Sequence, residues 1–265
     1  MKRQDKRQDR RSKASSRMKV RAKPAGTSET RSGKRAGNGS TERSLDAVRE
    51  RRPQTNAKRR AGQTNAKRQV RASQYESAAR EALSSSAQLL QDVADSSAEW
   101  TGRAAHEIIT RLNGGGKVIC CGNGGSAADA QHIAAELSGK FYLNRPALPA
   151  VSITSNPSSV TAIANDYGYE HVFSKQIEGL GRAGDVLLAF STSGGSANVI
   201  RAVSLARRMG IFVIGFTGAG GTGFARRCDM CLVVPSSDCP RVQEAHIAVG
   251  HSICFLVERA IFGGK

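Results

Sequence analysis

The chain has 265 residues and a formal net charge of +18, which would suggest a polyanion-binding protein if the charge were spread evenly. It is not: residues 1–74 hold 24 Lys and Arg against 6 Asp and Glu, whereas residues 75–265 hold 16 of each. Composition therefore excludes a uniformly basic nucleic-acid-binding domain, and no apolar run approaches the roughly 18 residues of a membrane span.

Residues 1–74 contain no Phe, Tyr or Trp, few aliphatic residues, and short repeats such as KRQDKRQD and two copies of QTNAKR, starting at Gln54 and Gln63. Such a segment cannot bury enough apolar surface to offset its ordering entropy, so a disordered basic tail is expected over 1–74. A solvated charge run is the plain reading. Contact with nucleic acid or an anionic surface stays open, because Lys and Arg neutralise phosphates without a fold. A transit peptide stays open too, although amphipathic periodicity is missing, as does translation from an upstream start codon. Residues 75–265 suit one α/β domain in length.

From Tyr75 to Leu112 apolar residues including Leu83, Leu90, Val93, Trp100, Ile108 and Leu112 recur at near-helical intervals without proline, predicting one long helix or two broken near Ser96. After NGGG the pattern changes. KVICC, ALPAVSIT, DVLLAFS, IFVIGFT and MCLVVP read as strands, each followed by a loop and usually a helix. Several are apolar on both faces, which marks a parallel sheet covered on both sides: a three-layer αβα, doubly wound architecture preceded by N-terminal helices. Ligands in this class bind beyond the carboxyl ends of the strands. A last helix is predicted from about Arg241 to Phe262.

Six cysteines raise the question of metal or disulfides. Cys120 and Cys121 are adjacent in an apparent buried strand and serve as small hydrophobes. Cys228 and Cys231 form a CxxC without a second ligand pair at zinc-finger spacing, and on a strand reading they face opposite ways. Reduced thiols and a cytoplasmic setting follow as expectations.

Two strand ends carry related loops, GNGGSA from Gly122 to Ala127 and STSGGSA from Ser191 to Ala197. Glycines let backbone N–H groups approach a ligand, hydroxyls donate to it, and the start of a helix attracts an anion. Two such loops facing one crevice suggest a phosphate gripped from both sides. The first also fits GxGxxA, but the acidic residue a dinucleotide site wants about 20 positions on is replaced by TSNPSS, and no P-loop motif is present. A small phosphorylated ligand is favoured over a nucleotide. The alternative is that either loop is only a tight turn on the sheet.

These paired loops on an alternating α/β pattern resemble the SIS (sugar isomerase) domain family. GNGGSAADAQHIAAELSGKF, AIANDYGYEHVFSKQIEGLGRAGDVLLAFSTSGGSANVIRA and RVQEAHIAVGHSI resemble the sedoheptulose 7-phosphate (phosphoheptose) isomerases within it, a similarity covering 75–265. It implies substrate contacts by Asn123, Gly124, Gly125, Ser126, Glu136, Asn165, Asp166, Ser191, Thr192, Ser193, Ser196 and Gln243. It also implies one zinc ion per subunit held by His132, Glu136, Gln243 and His251, and a homotetramer with sites at subunit interfaces. The activity implied is conversion of sedoheptulose 7-phosphate to D-glycero-D-manno-heptose 7-phosphate, the first step of ADP/GDP-heptose biosynthesis, with lipopolysaccharide among the destinations of the heptose. Two departures stand out: Gly195 where the family reads STSGNS, and Pro240 just ahead of the last helix.

His132 and Glu136, at i and i+4, share one helix face. Gln243 and His251 lie about 12 Å apart along a helix, so long side chains or a neighbouring subunit would have to close the gap; His246 is the local competitor. For an isomerisation through an enediol, Glu136 is assigned as base and His251 as acid, with zinc as a Lewis acid. A rival of another class is a non-catalytic SIS protein resembling the bacterial DnaA-associating replication regulator. A further rival is an isomerase or sensor for another phosphosugar. The combination of His132, Glu136 and His251 favours chemistry.

Overall fold

The computed structural model describes residues 54–263; residues 1–53 of the tail expected over 1–74, and any nucleic-acid contact made there, lie outside the described residues. Helix α1 (Gln54–Asn113) is unbroken through Ser96, whose hydroxyl donates to the Asp92 carbonyl within the helix. It begins well ahead of Tyr75, so residues 54–74 are helical where disorder is expected. The QTNAKR repeats are rich in Ala, Lys, Arg and Gln, which lose little entropy in a helix. They lack an apolar stripe, and side chains 69–85 are all exposed. Beyond Ser86 a buried stripe of Val93, Thr101, Ala104, Ala105 and Ile108 docks the helix on the sheet.

The remaining elements are β1 (Val118–Gly122), α2 (Gly125–Ser138), β2 (Ala150–Ser152), α3 (Pro157–Tyr167), α4 (Ser174–Leu180), β3 (Val186–Phe190), α5 (Ala197–Arg208), β4 (Phe212–Gly218), α6 (Thr222–Ala225), β5 (Met230–Val234) and α7 (Cys239–Phe262). Among the described residues all five strands are parallel, in the order β2-β1-β3-β4-β5. Alternation along the strands divides the core. Val118, Cys120, Val186, Leu188, Phe190, Ile214 and Phe216 pack under α1, α2 and α7, while Ile119, Cys121, Leu187, Ala189 and Val213 pack under α4 and α5. Strands β1 and β3 are buried along their whole length and β4 beyond its first residue, as their continuous apolar runs require, whereas the edge strands β2 and β5 each expose a valine, Val151 and Val233.

Topology places the loops. The chain leaves β1 toward β2 on one side and returns to β3 on the other, so β1 and β3 flank the switch point of a doubly wound sheet, where crevices open at strand carboxyl ends. Gly122 pairs in register with Phe190, and the two glycine–serine loops leave the sheet side by side. At the opposite end Asp185 braces the strand starts, with its carboxylate accepting from the Lys117 and Arg182 backbone N–H groups (3.0 and 2.8 Å) and from Lys117 Nζ (2.6 Å).

Helix α7 has the length and mean hydropathy, 1.3 over its best window, of a membrane span, although no uninterrupted apolar run reaches that length. Its apolar face is spent on the sheet through Val242, Ala245, Val249, Ile253 and Val257. The helix starts at Cys239, and Pro240 lies in its first turn, where a missing N–H costs nothing. The Ser86 hydroxyl donates to Glu244 Oε2 (2.7 Å) and Arg241 donates to the Ala82 carbonyl (2.7 Å), so α1 is pinned to the first turns of α7.

The CxxC reading needs correction. Cys228 lies in the turn before β5, not on the strand, so period-two alternation does not apply to it. A side chain at Gly215 would come within 2.5 Å of Cys228 Sγ and 3.0 Å of Cys231 Sγ: the two sulfurs share one niche. All six thiols are unpaired.

Candidate active site

Helix α2 starts directly from the first loop and carries Asp129, His132 and Glu136 at successive turns of one face. That face meets α7, with Gln243 opposite Asp129 and His251 opposite His132. Close approach of the two helices depends on Gly250, where a side chain would come within 2.6 Å of Ile133 Cδ1. His132 Nε2 lies 3.2 Å from Glu136 Oε1 and 2.9 Å from His251 Nε2. One ligand atom from each of the three lies within 4.8 Å of the others. Glu136 and His251 thus meet within a single chain. Partial burial and the neighbouring His132 pull the His251 pKa down, with Glu136 opposing.

Gln243 serves the loop side of this row. Its Nε2 donates to Asp129 Oδ1 (3.3 Å), and its carboxamide fills the space above Gly125, where a Cβ would lie 2.2 Å from Oε1. Asp129 is buried, and among the described residues its second oxygen has no hydrogen-bond partner. Burial pushes its carboxyl pKa up, opposed by Gln243 and His132.

The two loops are tied together by an asparagine pair. Asn123 Nδ2 donates to Asn198 Oδ1 (2.9 Å), Asn198 Nδ2 donates back to Asn123 Oδ1 (2.8 Å), and the Tyr169 hydroxyl also donates to Asn123 Oδ1 (3.1 Å). In the second loop Ser191 is buried and donates to Ser196 Oγ (3.2 Å). Ser193 is exposed and accepts from the Gly195 N–H (3.2 Å), and Thr192 Oγ1 lies 3.2 Å from Cys239 Sγ. Gly194 has φ +69°, and a side chain there would strike the Gly221 backbone at 2.6 Å, so this turn requires glycine. Gly195 is different: its Cβ would meet nothing closer than Ser193 Oγ at 3.6 Å, so the departure from the family motif is not imposed by the backbone.

The expected substrate residues are therefore not all gathered by contact. Gly124, Gly125 and Ser126 open α2, with Ser126 buried. Asn165 and Asp166 sit exposed at the end of α3, where Asn165 Nδ2 donates to Asp166 Oδ1 (2.8 Å); among the described residues neither forms a hydrogen bond or ion pair with the loops. His246, weighed as a metal ligand, faces the other way. It is wholly buried against Phe190 and Phe216, and among the described residues neither ring nitrogen has a hydrogen-bond partner.

Sequence reasoning missed Asn198, Asp129 and Tyr169. Asn198 follows the second loop within SANV, where a polar residue in an otherwise apolar helix turn was the available signal.

A SIS domain model matches residues 83–218. The phosphoheptose isomerase of Rhodospirillum rubrum is 55% identical over 158 residues, spanning 60% of this chain and 84% of that protein. This chain belongs to the phosphoheptose isomerase family of SIS-domain proteins. The phosphoheptose isomerase of Aneurinibacillus thermoaerophilus is 50% identical over 163 residues, 62% of this chain and 82% of that one. Among solved structures, the family member from Neisseria gonorrhoeae superposes with TM-score 0.63 at 45% identity, covering 66% of this chain and 94% of its own. The Francisella tularensis phosphoheptose isomerase gives TM-score 0.66 at 34% identity, covering 68% and 96%. The matches span 82–96% of the length of these family members.

Proposed function

We propose that this chain is an aldose–ketose isomerase interconverting sedoheptulose 7-phosphate and D-glycero-D-manno-heptose 7-phosphate, the entry to activated-heptose synthesis. The relatives' shared name supports the substrate class, and the meeting of Glu136 with His251 carries the chemistry.

The loops at the β1 and β3 ends, with Ser191, Thr192, Ser193 and Ser196, hold the phosphorylated sugar through hydroxyls, backbone N–H groups and the starts of α2 and α5. Asn123, Gly124, Gly125, Ser126, Asn165, Asp166 and Gln243 complete its contacts. Glu136 takes the proton from carbon 1 of the ketose, leaving an enediol, and returns it to carbon 2. His251, whose lowered pKa favours the neutral form, passes a proton between the two oxygens. Such positioned proton transfer contributes about 10²–10⁴-fold to rate.

His132, Glu136 and His251 fit a divalent metal: two imidazole nitrogens and a carboxylate oxygen converge on one point, a donor set that suits zinc. Gln243 is the fourth ligand in this reading. Zinc bound there would polarise the sugar's oxygens.

The oligomer is proposed as a homotetramer. An apolar groove of about 690 Å³ between α1 and α7, lined by Leu90, Val93, Phe141, His251, Phe255 and Leu256, supports a second copy docking beside the site. Six unpaired thiols support a cytoplasmic, reducing setting.

The test is incubation of the purified chain with sedoheptulose 7-phosphate, with and without a chelator, following the aldose by chromatography. Turnover that the chelator suppresses is expected. A folded, metal-loaded protein that leaves the ketose unchanged would point to a binding protein instead.

A further inference from the structure

Between α2 and β2 the chain forms a strap, residues 139–149, that none of the chemistry above employs. It is held by two side chains that are almost fully buried: Arg145, 2% exposed, and Glu258, 1% exposed. Glu258 stands on α7, two turns beyond His251, and its carboxylate is saturated. Oε1 accepts from the Phe141 N–H (3.0 Å) and from Arg145 Nε (2.8 Å); Oε2 accepts from the Tyr142 and Leu143 N–H groups (2.7 and 2.9 Å). Burial by itself pushes the pKa of this carboxyl up. The Tyr142, Phe141 and Leu143 donors and Arg145 outweigh it and bring the pKa down to about 2.

Arg145 spends the rest of its guanidinium on the end of α2. Nη2 donates to the Glu136 carbonyl (2.9 Å), and Nη1 donates to the carbonyls of Leu137 (2.9 Å), Pro146 (3.0 Å) and Gly139 (3.2 Å). The last turn of α2 contains no basic residue of its own. Its free carbonyls and negative dipole end are therefore met by a cation from outside the helix, a planar fork that Lys cannot reproduce. Strap residue Phe141 in turn lies against the His251 ring, with centroids 5.7 Å apart.

We propose that Arg145 and Glu258 are positioning residues for the reaction: together they lock the turn bearing Glu136 to the helix bearing His251, and set the separation of the proton-transferring pair. A buried ion pair contributes little net stability against an apolar replacement, since desolvation offsets attraction, and its best-attested use is to specify one geometry. Here every bond of the pair runs to the end of α2, the strap or α7. This inference rests on the isomerase reading for its kinetic consequence, though its geometric content does not depend on the substrate.

The test compares full-length wild type with Glu258→Gln, which keeps the shape but turns one accepting oxygen into a donor, and Arg145→Lys, which keeps the charge and loses the fork. Thermal melts first establish that each variant is folded at the assay temperature. With sedoheptulose 7-phosphate, kcat is expected to fall at least about tenfold while KM stays within about twofold, the pattern of a lost supporting contact. In parallel, zinc affinity by competition with a chromogenic chelator should weaken about tenfold or more, because His132, Glu136 and His251 no longer converge. Folded variants with wild-type kcat and wild-type zinc affinity would overturn the proposal and leave the pair a purely structural brace. Should the wild type itself leave the sugar phosphate unchanged, the isomerase reading falls, and the zinc titration alone decides the geometric claim. If one variant does not fold, the other carries the test.

Discussion

The Nε2 atoms of His132 and His251 lie 2.9 Å apart although 119 positions separate them in the chain. Two imidazole nitrogens at that distance cannot both carry protons without repulsion, and burial together with His132 already lowers the His251 pKa. A cation shared with Glu136 removes the conflict. Zinc affinity is therefore expected to fall steeply as pH drops below the ordinary imidazole range, about 6.5, because protons and metal compete for the same nitrogens. Competition titrations at neutral and mildly acidic pH check this; an affinity indifferent to pH would remove the histidines from the ligand set.

Glu136→Gln retains size and hydrogen bonding but cannot accept a proton from carbon. Turnover of sedoheptulose 7-phosphate should drop by about 10²–10⁴-fold, with the melting temperature close to wild type because the replacement is isosteric and the side chain stays partly exposed. Near-normal turnover by a pure, folded preparation would exclude Glu136 as the base.

Gly125→Ala examines the other end of the site. The added methyl would occupy the place of the Gln243 carboxamide, the mobile end of a flexible side chain, so the fold survives while Gln243 swings away from Asp129. Weaker substrate binding is expected, by about 1–2 kcal/mol for one lost polar contact, which steady-state KM measures. An unchanged KM would show that Gln243 makes no contact with the sugar.

Much of this architecture is legible in the sequence because the central strands β1, β3 and β4 are apolar runs buried on both faces, and because the two glycine–serine loops fall at the ends of β1 and β3. What escaped has physical causes. Residues 54–74 form a helix with no apolar stripe, so periodicity is blind to it. Cys228 sits two residues ahead of its strand, which voids the alternation argument, and its sulfur lies beside that of Cys231. Arg145 and Glu258 are 113 positions apart, and Asn123 and Asn198 are 75 apart. Neither pair has a local pattern, since a buried polar residue reveals itself only when its distant partner is seen.

His246 offers a prediction about stability instead of catalysis. It is completely buried between Phe190 and Phe216, and among the described residues both ring nitrogens and the neighbouring Thr217 hydroxyl lack partners. Burial drives its pKa down to about 4, opposed by the adjacent Thr217 backbone. The unfolded chain binds a proton there below about pH 6.5, whereas the folded chain does not until about pH 4. Stability contributed by the neutral ring is thus fully present above pH 6.5 and is lost as pH falls toward 4, by roughly 3 kcal/mol in all. His246→Leu removes the titrating group, so its unfolding free energy should fall less than that of wild type over this interval, whatever the variant costs at neutral pH. Urea melts of both proteins at pH 7 and pH 4.5 read the difference. Parallel pH profiles would mean that the folded protein protonates His246 as readily as the unfolded chain does.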